Sequence, residues 1–159
     1  MAGGSATGWK IYLDVSCLNR PFDDQAQARI RLEAAAVLLI LERMDRGDWM
    51  HVSSEMALIE IKAIRDEDRR AKVQMLLPEQ QSIMRLTAES FRRAAALQQL
   101  GFQPADALHV AVAEEAQADV LLSCDDRLCR LAKRRRRKLN VEVLNPLDWL
   151  KEREGEPNR

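Results

Sequence analysis

Four acidic positions carry the chemistry that this sequence can be read for. The apolar run Trp9 to Leu13 ends abruptly in Asp14, and the run Val120 to Leu122 is followed by Ser123-Cys124-Asp125-Asp126. Glu60 lies three residues after Ala57, one before Ile61 and four before Ile64, so helical spacing sets it at the border of an apolar face. Asp106 lies one turn before His109 and Val110 and seven residues before Ala113, again at the edge of an inward stripe. An acid at a buried edge is costly unless it is paired or bound to a metal. Taken singly, each has an ordinary reading: a turn Asp for Asp14, Asp125 and Asp126, a charge at a helix N-terminus for Asp106, a salt bridge for Glu60. Glu55 is a lesser rival to Glu60. Together they suit Mg²⁺ or Mn²⁺, which prefer oxygen ligands, retain waters and accept substrate phosphates. Such an ion activates water and stabilises charge on phosphate oxygens during hydrolysis.

Other catalytic schemes find little in the chain. There is no glycine-rich phosphate loop, no G-x-S-x-G and no zinc-ligand spacing. The two histidines, His51 and His109, lack sequence partners of catalytic type; His109 reads as a core or supporting residue. The three cysteines, Cys17, Cys124 and Cys129, form no C-x-x-C pair, and an odd number without regular spacing suits a reducing cytoplasm.

The elements that must position these acids can be traced along the chain. Trp9 to Leu13 reads as a buried strand, followed by a loop with Asn19, Pro21, Asp23 and Asp24 as turn formers. Gln25 to Arg46 is helical by the recurrence of Ile30, Ala34, Val37, Leu38, Leu41 and Met44, with Gly47 as its stop. A strand at Trp49 to Val52 leads into a helix from Ser54 to Arg65, capped by Ser53 or Ser54. Asp66 to Arg70 is a charged patch and Ala71 to Leu77 a short helical continuation. A strand over Ser82 to Leu86 precedes a helix from Thr87 to Leu100. Pro104 then opens a helix to about Gln117. Beyond Val120 to Leu122 come a helix carrying Leu128, Leu131 and Ala132, a strand at Val141 to Leu144, and a short helix at Leu147 to Leu150. Short apolar strands alternating with long helices predict an α/β/α sandwich around a mostly parallel sheet, where sites form at the carboxyl ends of the strands.

At 159 residues the chain fits one domain, expected over 9–150, with residues 1–8 a flexible leader and 151–159 a polar tail. Hydrophobic residues make up 47% and aromatics 4%, which excludes disorder and demands an aliphatic core. Lys plus Arg and Asp plus Glu are both 25, so the neutral total argues against a purely electrostatic nucleic-acid binder while leaving local patches free to bind. The apolar run Ala34 to Leu41 is too short to span a membrane, and the first eight residues have no signal-peptide pattern. A cytoplasmic protein with no membrane contact is expected.

The motifs resemble those of the PIN domain family. Ile11-Tyr12-Leu13-Asp14-Val15-Ser16 is similar to the opening strand that delivers a first catalytic Asp, with a small polar residue two positions later. Ser54 through Ile61 resembles the helix that supplies a Glu. Pro104-Ala105-Asp106-Ala107-Leu108-His109 resembles the third motif and Leu121 through Arg127 the fourth, a strand ending in Ser/Thr-x-Asp. Val141 through Pro146 resembles the closing strand and turn. The resemblance runs from about Lys10 to Trp149, with the small bacterial VapC-type toxins nearest in size.

The resemblance implies Asp14, Glu60, Asp106 and Asp125 around one or two divalent ions, Mg²⁺ or Mn²⁺, and endonucleolytic cleavage of RNA by metal-activated water. It implies that Ser16 and Ser123 support the acids by hydrogen bonding. Asp126 shares or replaces the role of Asp125, a choice left open here, and the Leu18 to Asp24 loop has no counterpart in the pattern. A toxin of a toxin–antitoxin pair is one expectation; a catalytically silent module binding RNA or a protein is the alternative. A phosphatase with an Asp-x-Asp nucleophile motif is disfavoured, because Ser16 stands at the second position.

Arg127, Arg130 and Lys133 to Lys138 put eight basic residues in twelve positions with no acid among them. This stretch, with Arg127, Arg130, Lys133 and Arg134 nearest the acids, reads either as a phosphate-binding patch or as a solvated helix end. Sequence readout by base stacking is not expected from so few aromatics. The helix from Gln25 to Arg46 is apolar around much of its circumference, hence deeply buried or part of an interface. Family resemblance implies a homodimer and an antitoxin partner.

Overall fold

The computed structural model describes residues 8–153; the expected leader, Gly8 apart, and the last six residues of the expected tail lie outside them. Five strands, β1 (Lys10–Leu13), β2 (Met50–Ser54), β3 (Ile83–Met84), β4 (Val120–Leu122) and β5 (Glu142–Leu144), form one sheet in the order β3-β2-β1-β4-β5. Every pairing is parallel, with Ile11 opposite His51 on one side and Val120 on the other. Eight α-helices accompany them among the described residues: α1 (Val15–Asn19), α2 (Ala28–Asp45), α3 (Glu55–Lys62), α4 (Glu67–Gln74), α5 (Ala88–Gln99), α6 (Pro104–Glu115), α7 (Asp126–Arg134) and α8 (Pro146–Arg153).

The two central strands, β1 and β4, are short, apolar and buried on both faces, as a parallel sheet requires. Tyr12, Val52, Leu121 and Val143 face a core shared with Leu97 of α5, Val110 of α6 and Leu128 of α7. Ile11, Leu13, Val120 and Leu122 face the opposite core with Cys17, Val37, Ile40, Ile61, Val73 and Trp149. The result is the expected three-layer α/β/α sandwich with a parallel sheet.

Local departures from expectation have local causes. Residues after Asp14 were expected as a loop but form α1, because Asp14 caps it and accepts from Cys17 N at 3.1 Å. The charged patch at 66–70 is the start of α4: Asp66 accepts from Asp68 N at 2.9 Å and Arg69 N at 3.1 Å, so the helix begins at Glu67 and ends before Met75. α8 continues to Arg153, so residues 151–153, expected as tail, are helical. α6 stops at Glu115 because Gln117 turns left-handed at φ 57°. Gly47, at φ 82°, closes α2 as expected, and Gly101, at φ 107°, closes α5 in the same way.

The Leu18 to Asp24 segment is a polar clasp. Arg69 of α4 reaches Asn19 Oδ1 at 3.2 Å, Asp23 Oδ1 at 2.8 Å and the Phe22 carbonyl at 2.6 Å. Arg20 joins Asp23 and the buried Glu33 of α2, each at 3.0 Å. The end of α1 is thereby fixed to two other helices.

Candidate acid site at the strand ends

β1 and β4 lie side by side, so their carboxyl ends deliver Asp14 and the Ser123–Asp125 turn to one place. Asp14 N donates to the Leu122 carbonyl at 3.1 Å, which carries the pairing to the last residue before the turn. Asp14 is 6% exposed, and its carboxylate accepts from Ser16 Oγ as well as Cys17 N. Ser16 Oγ lies 3.4 Å from Ser123 Oγ and accepts from Cys124 N at 3.0 Å, while Ser123 Oγ accepts from Asp125 N at 3.0 Å. The two serines expected as supports thus tie the β1 turn to the β4 turn. Burial nevertheless raises the Asp14 pKa, with Ser123 and Ser16 opposing it.

Asp106 stands in the first turn of α6. Burial, then the charges of Asp125, Asp14 and Glu60, push its carboxyl up to about 6 against the opposing pull of His109. Three of the sequence-derived acids, Asp14, Glu60 and Asp125, are therefore within electrostatic reach of Asp106. Asp125 caps α7, accepting from Arg127 N at 2.9 Å and Leu128 N at 3.3 Å. Asp126 behaves differently: both its oxygens are taken by the Arg29 guanidinium, which holds its pKa low. The side chain expected to share or replace the role of Asp125 is turned instead to α2, because one helical position rotates it about 100° away. Glu55 accepts from Leu86 N at 2.7 Å and serves the β3–α5 connection.

Glu60 is held by His109 Nε2. His109 Nδ1 lies 2.6 Å from Tyr12 Oη, which lies 2.7 Å from Ser54 Oγ. Burial works against the charged imidazole, but Glu60 outweighs it and the His109 pKa is raised. Burial pushes the Tyr12 phenol far above its ordinary range. Ser54 caps α3 as one of the two expected candidates, but its link through Tyr12 to His109 was not read from the sequence; the signal was a tyrosine inside a buried strand, whose hydroxyl must find a partner.

The donor set is all hard oxygen, and of the neighbours acting most strongly on Asp106 only His109 can carry a positive charge. That chemistry fits a divalent cation. As the side chains stand, however, no three His, Cys, Asp or Glu among the described residues gather closely enough to hold one. Where Asp126 meets Arg29, a groove of about 720 Å³ is lined by Arg29, Asp126, Arg130, Lys133, Arg136 and Leu144, among others, and by none of the four acids. Arg127, Arg130, Lys133 and Arg134 are all exposed.

The family model described as PIN domain matches residues 11–134, which takes in all four acids and their elements. The chain belongs to the PIN domain family. The matched span of this PIN domain begins at β1 and ends with α7. Among solved structures, VapBC2 from Rickettsia felis bound to a DNA fragment from their promoter is similar at 15% identity and a TM-score of 0.56, over 86% of this chain and 98% of that one. FitAB bound to an IR36 DNA fragment is similar at 17% identity and a TM-score of 0.54, over 86% and 95%. At such identities the likeness speaks for the PIN fold alone. No curated protein matches the chain.

Proposed function

We propose that this PIN domain is a metal-dependent endoribonuclease that hydrolyses RNA phosphodiester bonds, and that it is the toxin of a toxin–antitoxin pair. The observation that carries the reading is the Asp106 carboxyl, pushed up to about 6 by burial and by Asp125, Asp14 and Glu60. Mutual repulsion of this kind is unfavourable in a resting protein and is relieved by a cation. Asp14, Glu60, Asp106 and Asp125 would hold Mg²⁺ or Mn²⁺, which supplies a Lewis acid for the phosphate and a low-pKa bound water. Ser16 and Ser123 keep Asp14 oriented through their hydroxyls. Arg127, Arg130, Lys133 and Arg134 grip the RNA backbone as it approaches the acids.

Three free cysteines, two of them buried, suit a reducing cytoplasm. No helix among the described residues is long and apolar enough to cross a membrane. Half-exposed Leu32, Leu38 and Leu39 on α2 supply an apolar face for a second copy or an antitoxin. The structurally similar VapBC2 and FitAB proteins are the reason for naming an antitoxin.

The second reading is a PIN domain that binds RNA or protein without cutting. The open spacing of the carboxylates favours it. Incubation of purified protein with structured RNAs in Mn²⁺ or Mg²⁺, with chelator, Asp14→Asn and Asp106→Asn controls, separates the two. Cleavage that needs the metal and both acids supports the nuclease. Folded protein that neither cuts nor binds metal supports the silent module.

A further inference from the structure

The four-atom chain behind Glu60 links three of the elements that carry the acids. Tyr12 lies two residues before Asp14 on β1, Ser54 caps α3 and so starts the helix bearing Glu60, and His109 lies one turn after Asp106 on α6. All three side chains are buried. Glu60 itself is the outlier, with 35% of its side chain exposed, and a lone exposed glutamate has many rotamers. We infer that His109, locked in one tautomer by Tyr12, is a positioning residue that holds the Glu60 carboxylate toward the other acids. The role assigned to Glu60 in metal binding rests on the nuclease reading; the lock does not.

The direction of the chain follows from proton counting. Ionised Glu60 only accepts, so the His109 Nε2 facing it bears the proton. The neutral ring then offers a lone pair at Nδ1, and Tyr12 has one proton to give it. Ser54 in turn donates to Tyr12 Oη, while its own oxygen accepts from Ala57 N at 3.4 Å. Each hydroxyl thus donates toward Glu60, and the polarity is fixed by the carboxylate at one end and a helix N-terminus at the other. With Phe at position 12, Nδ1 loses the proton donor that occupies its lone pair, and the Glu60 carboxylate alone is left to favour the Nε2–H tautomer. His109 is thereby predicted to be useful for its donor geometry and not as a base.

Two measurements test this. Long-range ¹H–¹⁵N spectra of the metal-free protein report the imidazole tautomer: His109 should be Nε2–H in the wild type and should hold that tautomer less completely in Tyr12→Phe. An Nδ1–H wild type, or an unchanged tautomer in Tyr12→Phe, overturns the inference. Calorimetric Mn²⁺ titration is the second measurement. His109→Ala should bind about 10- to 100-fold more weakly, His109→Gln, whose amide retains a donor, should recover most of the loss, and Glu60→Gln should abolish any further effect of His109→Ala. Wild-type affinity in His109→Ala beside weakened binding in Glu60→Gln also overturns it. A wild type that binds no Mn²⁺ counts against the nuclease reading, and the tautomer then decides the lock alone.

Discussion

Asn145 Nδ2 donates to Glu33 Oε2 at 2.6 Å across 112 residues of sequence, joining the turn after β5 to the middle of α2. Arg20 Nε at 3.0 Å and Arg29 Nε at 3.2 Å complete the surroundings of this buried carboxylate. Removing one partner of a buried ion pair strands the other, which costs about 3–5 kcal/mol. Glu33→Ala should therefore lower the unfolding free energy by about that much in urea titrations. A loss under about 1 kcal/mol would mean that solvent reaches Arg20 when Glu33 is absent.

Asp106 predicts a pH dependence. Its folded pKa of about 6 stands above the ordinary 3.8, mainly through burial and then the charges of Asp125 and Asp14. The folded state then holds the proton more tightly, so this group's contribution is complete below about 4 and is lost as pH rises through about 6. Asp106→Asn should raise Tm over the wild type at pH 7.5 and make little difference at pH 4. Equal melting of the two proteins at pH 7.5 would deny the repulsion.

His51 works in the opposite sense. Burial lowers its pKa to about 4 from the ordinary 6.5, and its Nε2 has no hydrogen-bond partner. The unfolded chain therefore binds the proton first as pH falls, so stability is complete above about 6.5 and declines toward about 4, by up to about 3 kcal/mol. His51→Leu should abolish this loss on acidification and leave the opposite slope of Asp106, stability falling as pH rises from about 4 to 6. Because the windows of His51 and Asp106 overlap with opposite signs, the wild-type profile should be flatter than that of either variant.

Asp125 and Asp126 should separate in metal titrations. Asp125 acts on Asp106, whereas Asp126 is paired with Arg29 in a half-exposed contact. Asp125→Asn should weaken Mn²⁺ binding at least about tenfold, while Asp126→Asn leaves it within about twofold and alters stability by less than about 1 kcal/mol. The reverse ranking would require the Arg29 pair to open on metal binding.

The basic stretch makes a prediction about salt. Each phosphate contact to single-stranded RNA contributes about 0.7 to the slope of log K against log salt. Arg130→Ala with Lys133→Ala should reduce the slope by about 1.4 and weaken binding to unrelated RNAs alike. An unchanged slope would assign these residues to solvent.

Much of the sheet was readable, and for one reason. Short central strands between covering helices must be apolar on both faces, so Ile11-Tyr12-Leu13 and Val120-Leu121-Leu122 announce themselves. The helices were less sharply bounded. Asp66 was taken as part of a charged patch because a cap and a surface charge look alike until the backbone amides of Asp68 and Arg69 are seen pointing at it. α1 was missed because five residues give no helical period to count.

The sequence by itself determined the sheet class, the carriers of the acids and the serines beside them, because these depend on hydrophobic period and on residues within a few positions of a strand end. Only the tertiary structure decided how side chains distant in the chain divide their partners. Arg29 lies 97 residues from Asp126 and removes it from the acid set; His109 lies 49 residues from Glu60 and holds it; Arg69 lies 46 residues from Asp23 and turns an unassigned loop into a clasp. Charge pairing acts over a few ångströms of space and is blind to separation along the chain, so no local pattern in the sequence encodes it.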